Sequence, residues 1–156
     1  MKQGYVIPAK AAHVLELACT IRAEDRLEIG AHHRGSIMGA LYRSYKVSTH
    51  CWTAMLDDKV MFMFGVSPIS AVTRVGSPWL IAADGLEKVQ RQFIKECRVH
   101  LQEIADVYPD LRNHVDVRND AAIRWLEWMG FEMADPIPYG VNGEMFMPFT
   151  RSSASV

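Results

Sequence analysis

Residues 119–131, Asn119-Asp120-Ala121-Ala122-Ile123-Arg124-Trp125-Leu126-Glu127-Trp128-Met129-Gly130-Phe131, read as a capped helix with a glycine stop. Asn119 supplies a side-chain oxygen for an orphan amide of the first turn, and Asp120 puts negative charge where the helix dipole favours it. Ala122, Ile123, Leu126 and Met129 recur at helical spacing, so one face is apolar. Gly130 can take the left-handed backbone that ends the helix, and Phe131 then folds back onto the last turn and opens the next strand. Just upstream, His114-Val115-Asp116-Val117-Arg118 alternates polar and apolar like a half-buried strand.

Working outward, the same rules lay out the rest of the chain. Tyr5-Val6-Ile7 is a strand stopped by Pro8. Residues 11–21 form a helix with Ala12, Leu15, Ala18 and Cys19 on one stripe, and residues 22–29 a second short helix or a polar helical turn ended by Gly30. Ile37 to Tyr45 is a third. Thr49 to Leu56 and the apolar run Val60-Met61-Phe62-Met63-Phe64-Gly65-Val66 pair as a hairpin across Asp57-Asp58-Lys59, the second strand being central because it lacks alternation. Residues 67–77 read as a loop and Pro78 to Ala83 as a buried strand. Residues 84–107 are the strongest helix, with Leu86, Val89, Phe93, Cys97, Leu101 and Ile104 in one stripe and Asp84 and Glu87 placed as a capping box. Asn142-Gly143 marks a hairpin turn between residues 137–141 and 144–149, and Pro148 puts the last strand near an edge or a bulge.

The run from Asn119 through Ala122-Ile123-Arg124 and Glu127 to Gly130-Phe131 resembles the motif that follows the fifth strand of GNAT-superfamily N-acetyltransferases. The element order agrees, so the expected fold is α/β (α+β): one GNAT-like domain over residues 1–150, a mixed central sheet flanked by helices, then a flexible tail at 151–156. Residues 11–29 and the Pro78-Trp79-Leu80 strand also look like phage-encoded proteins of this fold, among them internal virion or assembly proteins.

The resemblance implies a function with two branches. The first is an N-acyltransferase that passes an acetyl or acyl group from acetyl-CoA to an amine. Ile81, Ala82, Ala83, Gly85, Lys88 and Asn119 stand where that family holds the cofactor, although only Gly85 matches the glycine loop that presents helix-terminal amides to the pyrophosphate. Asp84 at the helix cap is expected to satisfy and shield those amides. Leu126 stands where many of these enzymes place a tyrosine acid, and leucine cannot protonate a thiolate. Glu28, Asp116 and Tyr139 are the substitute acid and base candidates, beside His114; Glu28 reads more readily as a solvated helix residue than as a base. The second branch is a non-catalytic phage virion or assembly protein, partnered by phage structural proteins, that keeps the fold as scaffold.

Composition sets the outer limits. With 156 residues, 49% of them hydrophobic, the chain has material for one sizeable core. A net charge of -1 with interspersed signs offers no footprint for nucleic acid or an acidic membrane. Cys19, Cys51 and Cys97 are odd in number and widely spaced, which points to reduced thiols and a cytoplasmic setting, that of a host cell or a virion if phage-encoded. No segment approaches the roughly 20 apolar residues of a membrane span. No metal set emerges: His32 and His33 are neighbours whose rings should point apart on a regular backbone, without a carboxylate or cysteine at ligand spacing.

Overall fold

The computed structural model describes residues 4–153. In chain order the elements are β1 (Gly4–Pro8), α1 (Ala11–Thr20), α2 (Ala23–His32), α3 (Ile37–Val47), β2 (His50–Leu56), β3 (Lys59–Ser70), β4 (Val75–Ala82), α4 (Leu86–Val107), β5 (Asp110–Asp116), α5 (Asp120–Trp128), β6 (Glu132–Met133), β7 (Ile137–Pro138) and β8 (Met145–Ser152). They build one mixed sheet in the order β1-β2-β3-β4-β5-β8-β6, with β7 also on β8. Every pairing is antiparallel except β4 with β5.

Alternation along the strands feeds two cores. Trp52, Ala54, Phe62, Phe64 and Val66 point toward α4 and α5, meeting Phe93, Cys97, Leu101, Ile104 and Trp125. Met55, Val60, Met63 and Ile81 point to the other face, against Val14, Leu17 and Ile29 and against Ala40 and Leu41 of α3. β3 is therefore buried on both faces, as its unbroken apolar run predicts.

The decisive helix forms as read. The Asn119 side chain accepts from the Ala122 N–H at 3.4 Å, and Gly130 takes φ 87. Phe131 N–H donates to Leu126 O and Gly130 N–H to Glu127 O, the paired bonds of a Schellman stop. Phe131 is buried edge-on against Phe149. Pro148 pairs with His114 on one side, and its carbonyl accepts from Ala134 on the other, where β6 has ended and β7 not begun. Its missing N–H falls in that gap.

Four expectations are corrected. On α1 the inward stripe is His13, Val14 and Leu17, with Leu15 60% exposed. Two stripes of equal period overlap there, and the one continuing into Ile21 buries more side chain. Residues 67–77 are not a loop, since β3 runs to Ser70 and β4 starts at Val75 across a tight turn. Asp84 does not cap α4: a bridge from Ile21 to Ala83 extends β4, the Asp84 N–H goes to Thr20 O at 3.1 Å, and Gly85, at φ 89, is the N-cap with no side-chain bond. At the carboxyl end Arg151 and Ser152 belong to β8, and Ser153 N–H bonds Pro109 O; residues 154–156 of the expected tail lie outside the described residues.

Candidate functional site

β4 and β5 pair only at Val75 with Asp110 and Gly76 with Leu111, then splay apart. The cause is local. Successive residues of a strand aim their peptide groups to opposite sides, and Ala83 N–H bonds Met61 of β3, so Ala82, Leu80 and Pro78 face β5. Pro78 has no N–H to continue the ladder, and its carbonyl accepts the Asn113 side-chain amide at 2.8 Å instead. The wedge so opened is a cavity of about 330 Å³ that passes between the strands. Toward α4 and α5 its wall is apolar, with Cys97, Leu101, Ile104, Leu126 and Met129; toward α2 and α3 it carries Glu28, His32, His33, Arg43 and Ser44.

The far end of the wedge is bridged by the α1–α2 junction. Arg22 N–H donates to Ala82 O at 2.9 Å, and the Asp25 carboxylate accepts the Ala82 N–H at 2.7 Å. Across the gap, Asn119 donates to the other Asp25 oxygen at 3.0 Å, and its own oxygen accepts from the Arg22 guanidinium. Arg22, Asp25 and Asn119 are all at most 3% exposed. The Arg22 Nε lies 3.3 Å from Asp25 Oδ2 as an ion pair without hydrogen-bond alignment. Burial pushes the Asp25 carboxyl above its ordinary range, against the pull of the Arg22 cation. This clasp ties the ends of β4 and β5 through side chains where the ladder has failed.

Glu28, one helical turn beyond Asp25, reaches the cavity wall. Its Oε1 accepts the Asp116 N–H at 2.6 Å, and Asn119 approaches its Oε2 at 3.5 Å. Desolvation, with Asp25 and Asp116 nearby, pushes its carboxyl up to about 8. Glu28 is thus no solvated helix residue. Asp116 differs: it is 2% exposed and held bidentate by Arg118 at 2.9 and 2.6 Å. Burial works to raise its pKa, but the Arg118 bonds outweigh it and the carboxyl stays low. The polar–apolar alternation read along residues 114–118 does not leave Asp116 on an open face, because its backbone N–H is tied to Glu28 of α2 and its side chain is buried.

Tyr139 does not line the cavity. Its ring stacks on His114 at 3.8 Å and its hydroxyl meets His32 Nε2 at 3.1 Å. His32 and His33 do touch, Nδ1 to Nε2, at 3.2 Å. The expectation that they point apart fails because His32 ends α2 and His33 is already extended, at φ -128 and ψ 142. Desolvation lowers the pKa of His32, His33 and His114, so all three favour the neutral ring. Among the described residues no group of three or more His, Cys, Asp or Glu side chains is placed to hold a metal.

Of the six positions matched to the cofactor, Ile81 lines the cavity, while Ala82 and Asn119 have their polar groups engaged in the clasp. Ala83 N–H bonds Met61 O within the sheet. Gly85 heads α4 with nothing within 4 Å of where a Cβ would stand, and Lys88 lies exposed one turn on. The apolar passage suits an acylated pantetheine arm and the open helix head its phosphates, while the Ala82 N–H and the Asn119 side chain are already held by Asp25. The sequence reading missed Arg22, Asp25 and Arg43, and weighed His32 only as a metal ligand. Only the i, i+3 spacing of Arg22 and Asp25 hinted at a pair, and that spacing is common on solvated helices.

No family model matches the chain, and no curated protein matches it. Solved structures do. The chain is similar to an N-acetyltransferase from Staphylococcus aureus at TM-score 0.71 and 10% identity, over 97% of this chain and 99% of that one. An acetyltransferase of GNAT family from Streptococcus pneumoniae aligns at 0.65 and 11%, covering 96% and 99%. A spermidine N-acetyltransferase from Vibrio cholerae, in complex with CoA and spermine, aligns at 0.68 and 13%, covering 97% and 96%. No helix among the described residues is long and apolar enough to cross a membrane. The splayed β4 and β5, the helices on both faces and these likenesses together give the chain the fold of the GNAT N-acetyltransferases.

Proposed function

We propose that the protein is an N-acyltransferase whose acyl donor and amine acceptor meet in the wedge between β4 and β5. The observation that carries this reading is the placement of Glu28 on the acceptor side of that wedge, with its carboxyl poised near 8. The unprotonated form of such a carboxyl, which gains population as pH rises toward 8, can take the proton of an ammonium group and leave the amine lone pair to attack a carbonyl. The Asp116 N–H fixes the carboxyl, and the Asp116–Arg118 pair fixes that strand end. Acetyl-CoA, when bound, supplies an activated thioester carbonyl and a thiolate leaving group. Ile81, Gly85 and Lys88 are the residues on hand for it; Ala82 and Asn119 join only if the clasp opens. Neither Asp116, which stays ionised against Arg118, nor Tyr139, behind His114, takes a direct part.

Two observations favour a second reading, a non-catalytic protein that keeps the fold as a scaffold, such as the phage assembly proteins the sequence resembles. Leu126 leaves the wall of α5 without an acid, and the clasp occupies the Ala82 N–H and the Asn119 side chain. Thermal denaturation with acetyl-CoA, paired with a free-thiol release assay over an amine panel, separates the two. A ligand at a hundred times its Kd adds about 2.7 kcal/mol of stability. Stabilisation with thiol release supports the enzyme; neither at millimolar acetyl-CoA leaves the scaffold.

A further inference from the structure

The acceptor side of the cavity has an uneven charge. Its wall between α2 and α3 carries Arg43, the imidazoles of His32 and His33, and His114 across from them, while the Ser44 hydroxyl is taken up by the Ala40 carbonyl at 3.1 Å. Arg43 forms no ion pair with a carboxylate among the described residues, and its charge is felt by His33, whose pKa it helps to lower after desolvation. The one carboxyl on the wall is Glu28. With its pKa near 8, that group is mostly protonated at pH 7 and brings little negative charge. A polyamine entering here would find a fixed cation and no ionised partner, which is unfavourable in a partly desolvated site. An anionic group would find Arg43 in reach of a fork-shaped contact, with the His33 imidazole beside it. Ile29, Val47, Trp79 and Phe146 add apolar surface beside these groups.

We infer that the acceptor is an amine carrying its own acid group, a carboxylate or phosphate anchored by Arg43 and His33, with the amine turned toward Glu28 and an apolar portion on Trp79 and Val47. This rests on the acyltransferase reading for the role of the amine, but the anion site is tested without any acyl donor.

Isothermal titration of the whole chain at pH 7 with matched pairs provides the test: L-phenylalanine against 2-phenylethylamine, O-phosphoethanolamine against ethanolamine, and spermidine alone. The acid-bearing member of at least one pair is expected to bind ten-fold or more tightly than its partner, and to outcompete spermidine; which pair responds tells carboxylate from phosphate. Arg43 is exposed on α3, so Arg43→Ala should keep the Tm within a degree while abolishing the preference, and Arg43→Lys should keep part of it. Equal or tighter binding of the acid-free amines, no binding by any probe, or a preference that survives Arg43→Ala overturns the inference. Binding of an acid-bearing amine with no acyl transfer to it would sink the enzymatic reading and leave the anion site standing.

Discussion

The Asp25 carboxylate accepts the backbone N–H of Ala82 at 2.7 Å, so a side chain from α2 occupies the peptide edge that β4 turns toward β5. Its other oxygen holds Asn119, the cap of α5. One buried carboxylate thereby joins a strand end, a helix cap and, through Arg22, the α1–α2 junction. Asp25→Ala leaves Arg22 buried without its counter-charge and should cost about 3–5 kcal/mol. Asp25→Asn keeps an acceptor for Ala82 and should cost about 1–3 kcal/mol. Urea unfolding reads both, and equal losses would show that charge is irrelevant to the clasp.

Glu28 gives a signed pH dependence. Its folded pKa, near 8, lies above the ordinary 4.5, so the folded state holds the extra proton between those values. The contribution is present in full below about 4.5 and is lost as pH rises through 8. Asp25 acts in the same direction; Asp116, whose pKa is depressed, adds stability above its ordinary range that is lost as pH falls. Glu28→Gln should flatten the decline between pH 5 and 8 and leave the acid limb in place. Denaturant midpoints across that range decide it.

Acyl transfer, where detected, should follow the unprotonated Glu28. The rate constant kcat/KM is expected to climb with pH to a limb near 8, and Glu28→Gln should lower it by roughly a hundred-fold, within the usual span of general-base contributions. A profile with no limb between pH 7 and 9 would remove Glu28 from the chemistry.

Leu126 lines the cavity from α5 and is partly buried. Leu126→Tyr puts a hydroxyl on that wall, at the position where the motif this segment resembles carries a tyrosine. A ten-fold gain in thiol release is expected of an enzyme limited by that step, with Tm lowered by no more than a few degrees. An assembly protein should show no release from either form.

Gly130 holds φ 87 in the Schellman stop, where a Cβ is opposed by the backbone itself. Gly130→Ala should destabilise by about 1–2 kcal/mol, and Gly130→Asn by less, since asparagine tolerates the left-handed region. Equal effects would mean the turn relaxes rather than strains.

Local rules carried much of the fold because they act within a few residues. The Asn119 cap, the Gly130-Phe131 stop, the stripe of α4 and the buried run of β3 are each decided by neighbours in sequence, and all four stand in the structure. Where two local solutions had equal merit, on α1, the larger burial of Val14 and Leu17 chose between them. At Asp84 the cap was lost to a bridge between Ile21 and Ala83, a contact 62 residues apart in sequence that no local pattern encodes.

The candidate site was legible only in part for the same reason. Sequence alone settled that a proline stands in β4, that Leu126 brings no acid and that Glu28 and Asp116 are carboxylates near the right elements. Tertiary structure decided what each became. It set Asp116 against Arg118, drew Glu28 onto the cavity wall where desolvation raises its pKa, and folded Arg22 and Asp25 across the splayed strands. Charge, burial and hydrogen bonding depend on distance through space, and a chain of residue types specifies those distances only once the sheet has closed around them.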